Sequence, residues 1–214
     1  YHPKYGDDLF PRHFIISLPQ PSSYVGPENV FGITGDSQQG IESLEPLPLI
    51  RYTYDHAENI PGSHKKDLVM AELPDSVLAA MKAFLLSCAA RRIRKEGVPH
   101  NSMLIHVTRF VSVQRQTKSL VEAGLRTMIA RIMSGSDPLN DFRQLWESDF
   151  MFTSEKMAAK GFKEAVIHSW DEVRPELFDA AKKVKVKNIN GESADILDYI
   201  EADAVARERI LRGD

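Results

Sequence analysis

NSMLIHVTRFVSVQRQ, residues 101–116, decides the fold. Met103, Leu104, Ile105 and Val107 form an apolar run around His106, too short for a helix and too continuous for a strand with one wet face. The run reads as a strand buried on both faces of a parallel sheet. A helix follows at once, roughly Val111 to Met133, because Thr117, Val121, Leu125, Met128 and Ile132 fall along one side. Strand followed directly by helix is half of a βαβ unit.

Upstream, Leu73 to Glu96 forms a helix with Val77, Met81, Phe84 and Cys88 on its apolar stripe, widened by Leu78 and Leu85. Pro74 and Asp75 suit its first turn; Arg91, Arg92, Arg94 and Lys95 suit its last, before Gly97. Downstream, Asp137-Pro138 opens a helix striped with Leu139, Phe142, Trp146 and Phe150, and further helices fall near 154–168 and within 171–182. VKVKNI at 184–189 alternates valine with lysine, the period of a strand with one apolar face. Another strand candidate is HFIISL at 13–18, set between Pro11 and Pro19. The expected fold is a three-layer α/β domain with helices inserted between its strands. Residues 1–72 form an N-terminal arm with one strand and a long irregular loop, and residues 73–214 form the α/β core.

With 43% hydrophobic and 27% charged residues, the 214-residue chain has the composition of an ordinary globular protein, and no apolar run is long enough to span a bilayer. The single cysteine, Cys88, leaves no internal disulfide and no cysteine-based zinc site, which fits a reducing, cytoplasmic setting. A net charge of −3 argues against an autonomous, strongly basic nucleic-acid module, although a local basic groove is compatible with it. The chain starts at Tyr1 rather than methionine and carries no signal-peptide pattern, so it reads as a piece of a longer protein.

Catalytic signatures are missing. The glycines at 26, 32, 35 and 40 are followed by no Gly-Lys-Ser/Thr; there is no HExxH, Cys-x-x-Cys or Gly-x-Ser-x-Gly; Pro74-Asp75 has no Glu-x-Lys partner to complete a magnesium site. We expect no catalytic residue and no metal ligand. The chemistry that remains sits after the apolar run. Strand ends are where open α/β sheets bind ligands, and Thr108, Arg109 and the free N–H groups of the next helix would make a phosphate cradle, extended by Gln114 and Arg115. Each residue has a plainer use. Arg109 could pair with a surface carboxylate, and Gln114 and Arg115 could be a solvated helix face. His106 suits a core histidine bonded to backbone, and otherwise a functional residue of the core.

Asn101 to Phe110 followed by Gln114 resembles the signature of the Z1 domain, found in large bacterial and phage proteins described as endonucleases. Other marks agree in order: Phe10-Pro11-Arg12 before Phe14-Ile15-Ile16; Tyr24-Val25-Gly26-Pro27 with Phe31-Gly32; Leu73-Pro74-Asp75-Ser76-Val77 leading to Ala83-Phe84-Leu85; and Val186 to Gly191 with Asp198-Tyr199. The resemblance implies a superfamily-two, helicase-like P-loop ATPase associated with restriction and modification. It places this chain in a RecA-like second motor lobe with a partial parallel sheet and an inserted helical subdomain. Thr108 and Arg109 then become DNA-backbone contacts. ATP and magnesium belong to the parent protein and not to this fragment, which alone is expected to be inactive. A rival reading is an interaction module docking a separate nuclease subunit through Trp146, Phe150, Phe152 and Trp170.

Overall fold

The computed structural model describes residues 24–94, 100–137, 139–163 and 165–190. They fall into two compact units, Tyr1–Ile50 with Lys156–Ala165, and Arg51–Glu155 with Val166–Asp214.

In the first unit, Pro27 occupies the first turn of α1 (Pro27–Phe31), where its missing N–H costs nothing. Gly32 ends that helix at φ 76°, ψ 178°, a conformation open essentially to glycine alone. The chain then forms two isolated antiparallel bridges, Ile33 with Leu44 and Asp36 with Ile41. The glycine-rich stretch is therefore a turn, tightened where Asp36 Oδ1 accepts the Gln38 N–H at 2.9 Å. A Cβ added at Gly32 would lie 2.7 Å from the Leu44 carbonyl oxygen. Gly32→Ala is thus expected to destabilise this unit by about 1–2 kcal/mol. Faster amide exchange at Ile33 and Leu44, with the second unit unchanged, is the reading that checks it.

The second unit is helical. After the short α2 (His56–Asn59) comes α3 (Asp75–Ile93), which buries Met81, Leu85, Leu86, Cys88, Ala89 and Ala90. Its start is capped from outside, where Asp55 Oδ2 accepts the Ser76 N–H at 2.7 Å; hydrogen bonding from the Ser76 side chain, and then from this N–H, holds the carboxyl below its ordinary range. α4 (Val111–Ser134) buries Val113, Thr117, Val121, Leu125 and Met128, and ends at Gly135 in the left-handed region. Where α3 and α4 meet, a Cβ on Gly124 would touch Leu78 and Met81 at 3.5 Å.

Next come α5 (Asn140–Leu145), a π-helical turn (Trp146–Met151) and α6 (Phe152–Ala159). α5 starts at Asn140 rather than Pro138. Asp137 Oδ1 accepts the Leu139 N–H at 2.8 Å, and Leu139 takes the left-handed conformation at φ 52°. The Arg131 guanidinium binds both Asp137 and Asp141, at 2.6 and 2.9 Å, and holds the two carboxyls below their usual range. The last helical stretch among the described residues is α7 (Trp170–Val173), a 3₁₀ turn (Arg174–Glu176) and α8 (Leu177–Ala181), opened by a Ser169–Glu172 capping box. α3 packs against α5, α7 and α8, and the side chains between them close one core.

The expected three-layer, RecA-like α/β fold is corrected by this architecture: among the described residues there is no strand and no sheet. The apolar run at 103–107 is not a doubly buried strand. Leu104 is 86% exposed, Met103 and His106 are exposed, and only Ile105 and Val107 pack partly on the core. Residues 184–189 behave alike, with Val184 and Val186 against the core and Lys185, Lys187 and Ile189 in solvent. In both segments the period-two burial reports one face laid on helices, with no neighbouring chain among the described residues to complete a hydrogen-bonded ladder. HFIISL at 13–18 lies outside the described residues.

Candidate nucleic-acid interface

The start of α4 is built by hydrogen bonds from three stretches of chain. Thr108 is buried, and its Oγ1 accepts the Phe110 N–H at 3.1 Å, turning the chain into the helix. The same hydroxyl lies 2.7 Å from His64 Nε2, and His64 Nδ1 lies 2.7 Å from the Pro61 carbonyl oxygen. A carbonyl only accepts, so Nδ1 carries the hydrogen and Nε2 takes the Thr108 proton; one neutral imidazole satisfies every bond. Gln114 Nε2 donates to the Thr108 carbonyl at 2.9 Å, and Asn190 Nδ2 donates to Gln114 Oε1 at 2.8 Å. One turn on, Gln116 accepts the Met70 N–H and donates to the Leu68 carbonyl, both at 2.9 Å, while the Ser112 hydroxyl donates to the Lys66 carbonyl.

On this frame Arg109 is exposed, its guanidinium held 5.1 Å from the Phe110 ring centroid, and Phe110 meets the His64 ring edge-on at 5.5 Å. Arg109 has no ion pair among the described residues. Phe110, at the N-cap, supplies no side-chain cap, and the first turn holds no acidic residue. The Val111 and Ser112 N–H groups find no acceptor among the described residues. Among the described residues nothing therefore compensates the positive end of this 24-residue helix dipole, which lies beside a cation. Arg115 is exposed on the next turn.

The sequence-derived residues thus separate. Arg109 and Arg115 face solvent; Thr108 and Gln114 spend their polar atoms on the frame; His106 is exposed, not a core histidine. Sequence reasoning missed His64, Gln116 and Asn190, which complete the frame. His64 sits in an aperiodic loop, so no spacing marks it, and the alternation at 184–189 carries no hint of the bond from Asn190 to Gln114. Of the anchors named for a docked subunit, Trp146 and Trp170 are buried, and Phe150 stacks on Trp146 with centroids 5.0 Å apart. Trp146 Nε1 donates to the His168 carbonyl at 2.9 Å. Those residues serve the core.

The chain contains no Gly-Lys-Ser/Thr, and no group of three His, Cys, Asp or Glu among the described residues could hold a metal. No helix among them is long and apolar enough to cross a membrane.

What fold and site define is a helical domain that presents the bare, cation-flanked start of a long helix. The family model described as the Z1 domain matches residues 76–213, and the chain belongs to that family. No curated protein matches the chain, and no solved structure does.

Proposed function

We propose that this Z1 chain supplies a sequence-independent contact to the DNA backbone. Arg109, the first-turn N–H groups of α4 and Arg115 face the phosphates, and Thr108, Gln114 and His64 hold them in place. The observation that carries the reading is Arg109, exposed and without an ion pair among the described residues, at a helix start that lacks acids. Family membership supports it, and so does the absence of catalytic signatures, since a backbone contact needs none. In this reading the chain works within a helicase-like, ATP-dependent DNA translocase of a restriction-modification or phage-defence system, with ATP and magnesium bound outside these residues.

The test is anisotropy of a fluorescein-labelled oligonucleotide titrated with the chain at several salt concentrations. Arg109→Ala is expected to weaken binding about tenfold at ~50 mM salt and to lower the slope of log affinity against log salt by about 0.7 on single strands. An unchanged slope would remove Arg109 from the interface. Of the anchors of the docking-module alternative, Trp146 and Trp170 are inside the core, Phe150 is half-buried against Trp146, and Phe152 is exposed.

A further inference from the structure

We infer that the chain self-associates through residues 103–107, two copies pairing this stretch antiparallel about Ile105 in a ladder that neither copy forms alone. The inference is independent of the DNA reading and starts from the backbone. From Met103 to Val107 no N–H donates a hydrogen bond and no carbonyl accepts one among the described residues. Unpaired backbone groups in a β-patterned segment are what a second strand takes up. Burial already alternates as it does along a strand: Ile105 and Val107 pack on the core, while Leu104 is 86% exposed and His106 faces solvent. Within one copy neither the exposed leucine nor the peptide groups on its two sides gain a contact.

Two observations point to a second copy as the occupant. The first is that the stretch is unguarded. Residues 184–189 carry Lys185 and Lys187 on their outward side, a device that keeps exposed strand-like segments from pairing. Residues 103–107 hold no lysine, no acid and no proline. The second is that the stretch is its own complement. Pairing centred on Ile105 sets Ile105 opposite Ile105, Met103 opposite Val107, and Leu104 opposite His106 of the second copy. Residues directly opposite in an antiparallel pair share a face, so the sides laid on the two cores stay together. Each exposed Leu104 is then covered by His106 across the pair and by Leu104 on the diagonal. The edge that pairs is that of Met103, Ile105 and Val107, whose opposite residues exchange both their N–H···O bonds. The other edge would call on the Thr108 carbonyl, which already accepts from Gln114. Because each residue meets its equivalent about a two-fold axis, the contact closes as a dimer and does not propagate. It sets the two copies of Arg109 at opposite ends of the ladder, no more than about 27 Å apart.

Sedimentation equilibrium of the 214-residue chain, at concentrations up to the millimolar, should fit a reversible monomer–dimer equilibrium. The amides of 103–107 should exchange more slowly as the dimer fills. Met103→Pro removes a donor that has no acceptor within one copy, and is expected to weaken the dimer about tenfold or more through the bond lost in each copy. Leu104→Lys supplies the missing guard and should weaken it likewise. Ile189→Lys makes the same change at an exposed residue of 184–189 and should dimerise like wild type. Circular dichroism verifies that each variant keeps its helices. A chain that stays monomeric at the millimolar overturns the inference. So does a dimer that survives both Met103→Pro and Leu104→Lys, or one that Ile189→Lys weakens equally. Amides at 103–107 that exchange as fast in the dimer as in the monomer put the interface elsewhere and overturn it too.

Discussion

Phe142→Ala is expected to lower the stability of the second unit by about 3–5 kcal/mol, the range for emptying a fully buried aromatic site. Phe142 is 0% exposed and is the largest of the fully buried side chains. It stands in the middle of α5, a helix of 6 residues, far too short to persist in water without tertiary packing. What holds α5 is the insertion of Phe142 and, after it, Trp146 into the core beside α3. The π-helical turn depends on the same anchor, because Trp146 must keep its bond to the His168 carbonyl and its stack with Phe150. Chemical denaturation followed by far-ultraviolet circular dichroism measures the loss. A midpoint equal to that of wild type would show that α5 is held by something other than its apolar stripe.

Phe142 also shows how much of the molecule could be read from sequence. The spacing of Leu139, Phe142 and Trp146 identified the inward side of this helix, and the same argument found the buried sides of α3 and α4. Helical periodicity is a local property: hydrogen bonds close within the segment, so one stretch of sequence carries the whole signal. Strand formation is not local. Residues 184–189 alternate and residues 103–107 are apolar but for His106, yet in both segments only every second residue packs on the core, and a ladder needs a partner that the pattern of one segment cannot supply. The α/β expectation failed on that step, from an apolar segment to a paired strand buried on both faces. The candidate interface was legible to the extent that position outranks partners. The place of Arg109, just before a long helix, could be read; the partners beneath it could not, because His64 and Asn190 lie 44 and 76 residues from the groups they bond.

Thr108→Val tests that frame. Valine matches threonine in shape, so the substitution removes a hydroxyl and little else, at a site that is buried. The lost oxygen both donates to His64 Nε2 and accepts from the Phe110 N–H. With valine the ring nitrogen and the N–H lose their partner together, and orphaning both costs about 2–4 kcal/mol. Thr108→Ser keeps the hydroxyl and should recover most of that loss. The decisive comparison is with binding. Under conditions where the valine variant remains folded, its affinity for the labelled oligonucleotide should fall far less than that of Arg109→Ala, since the hydroxyl positions the helix start and faces His64 rather than solvent. A valine variant as stable as wild type that binds about tenfold more weakly would put the Thr108 hydroxyl on the phosphate, and Arg109 would then share a contact that the present assignment gives to the guanidinium and the helix start.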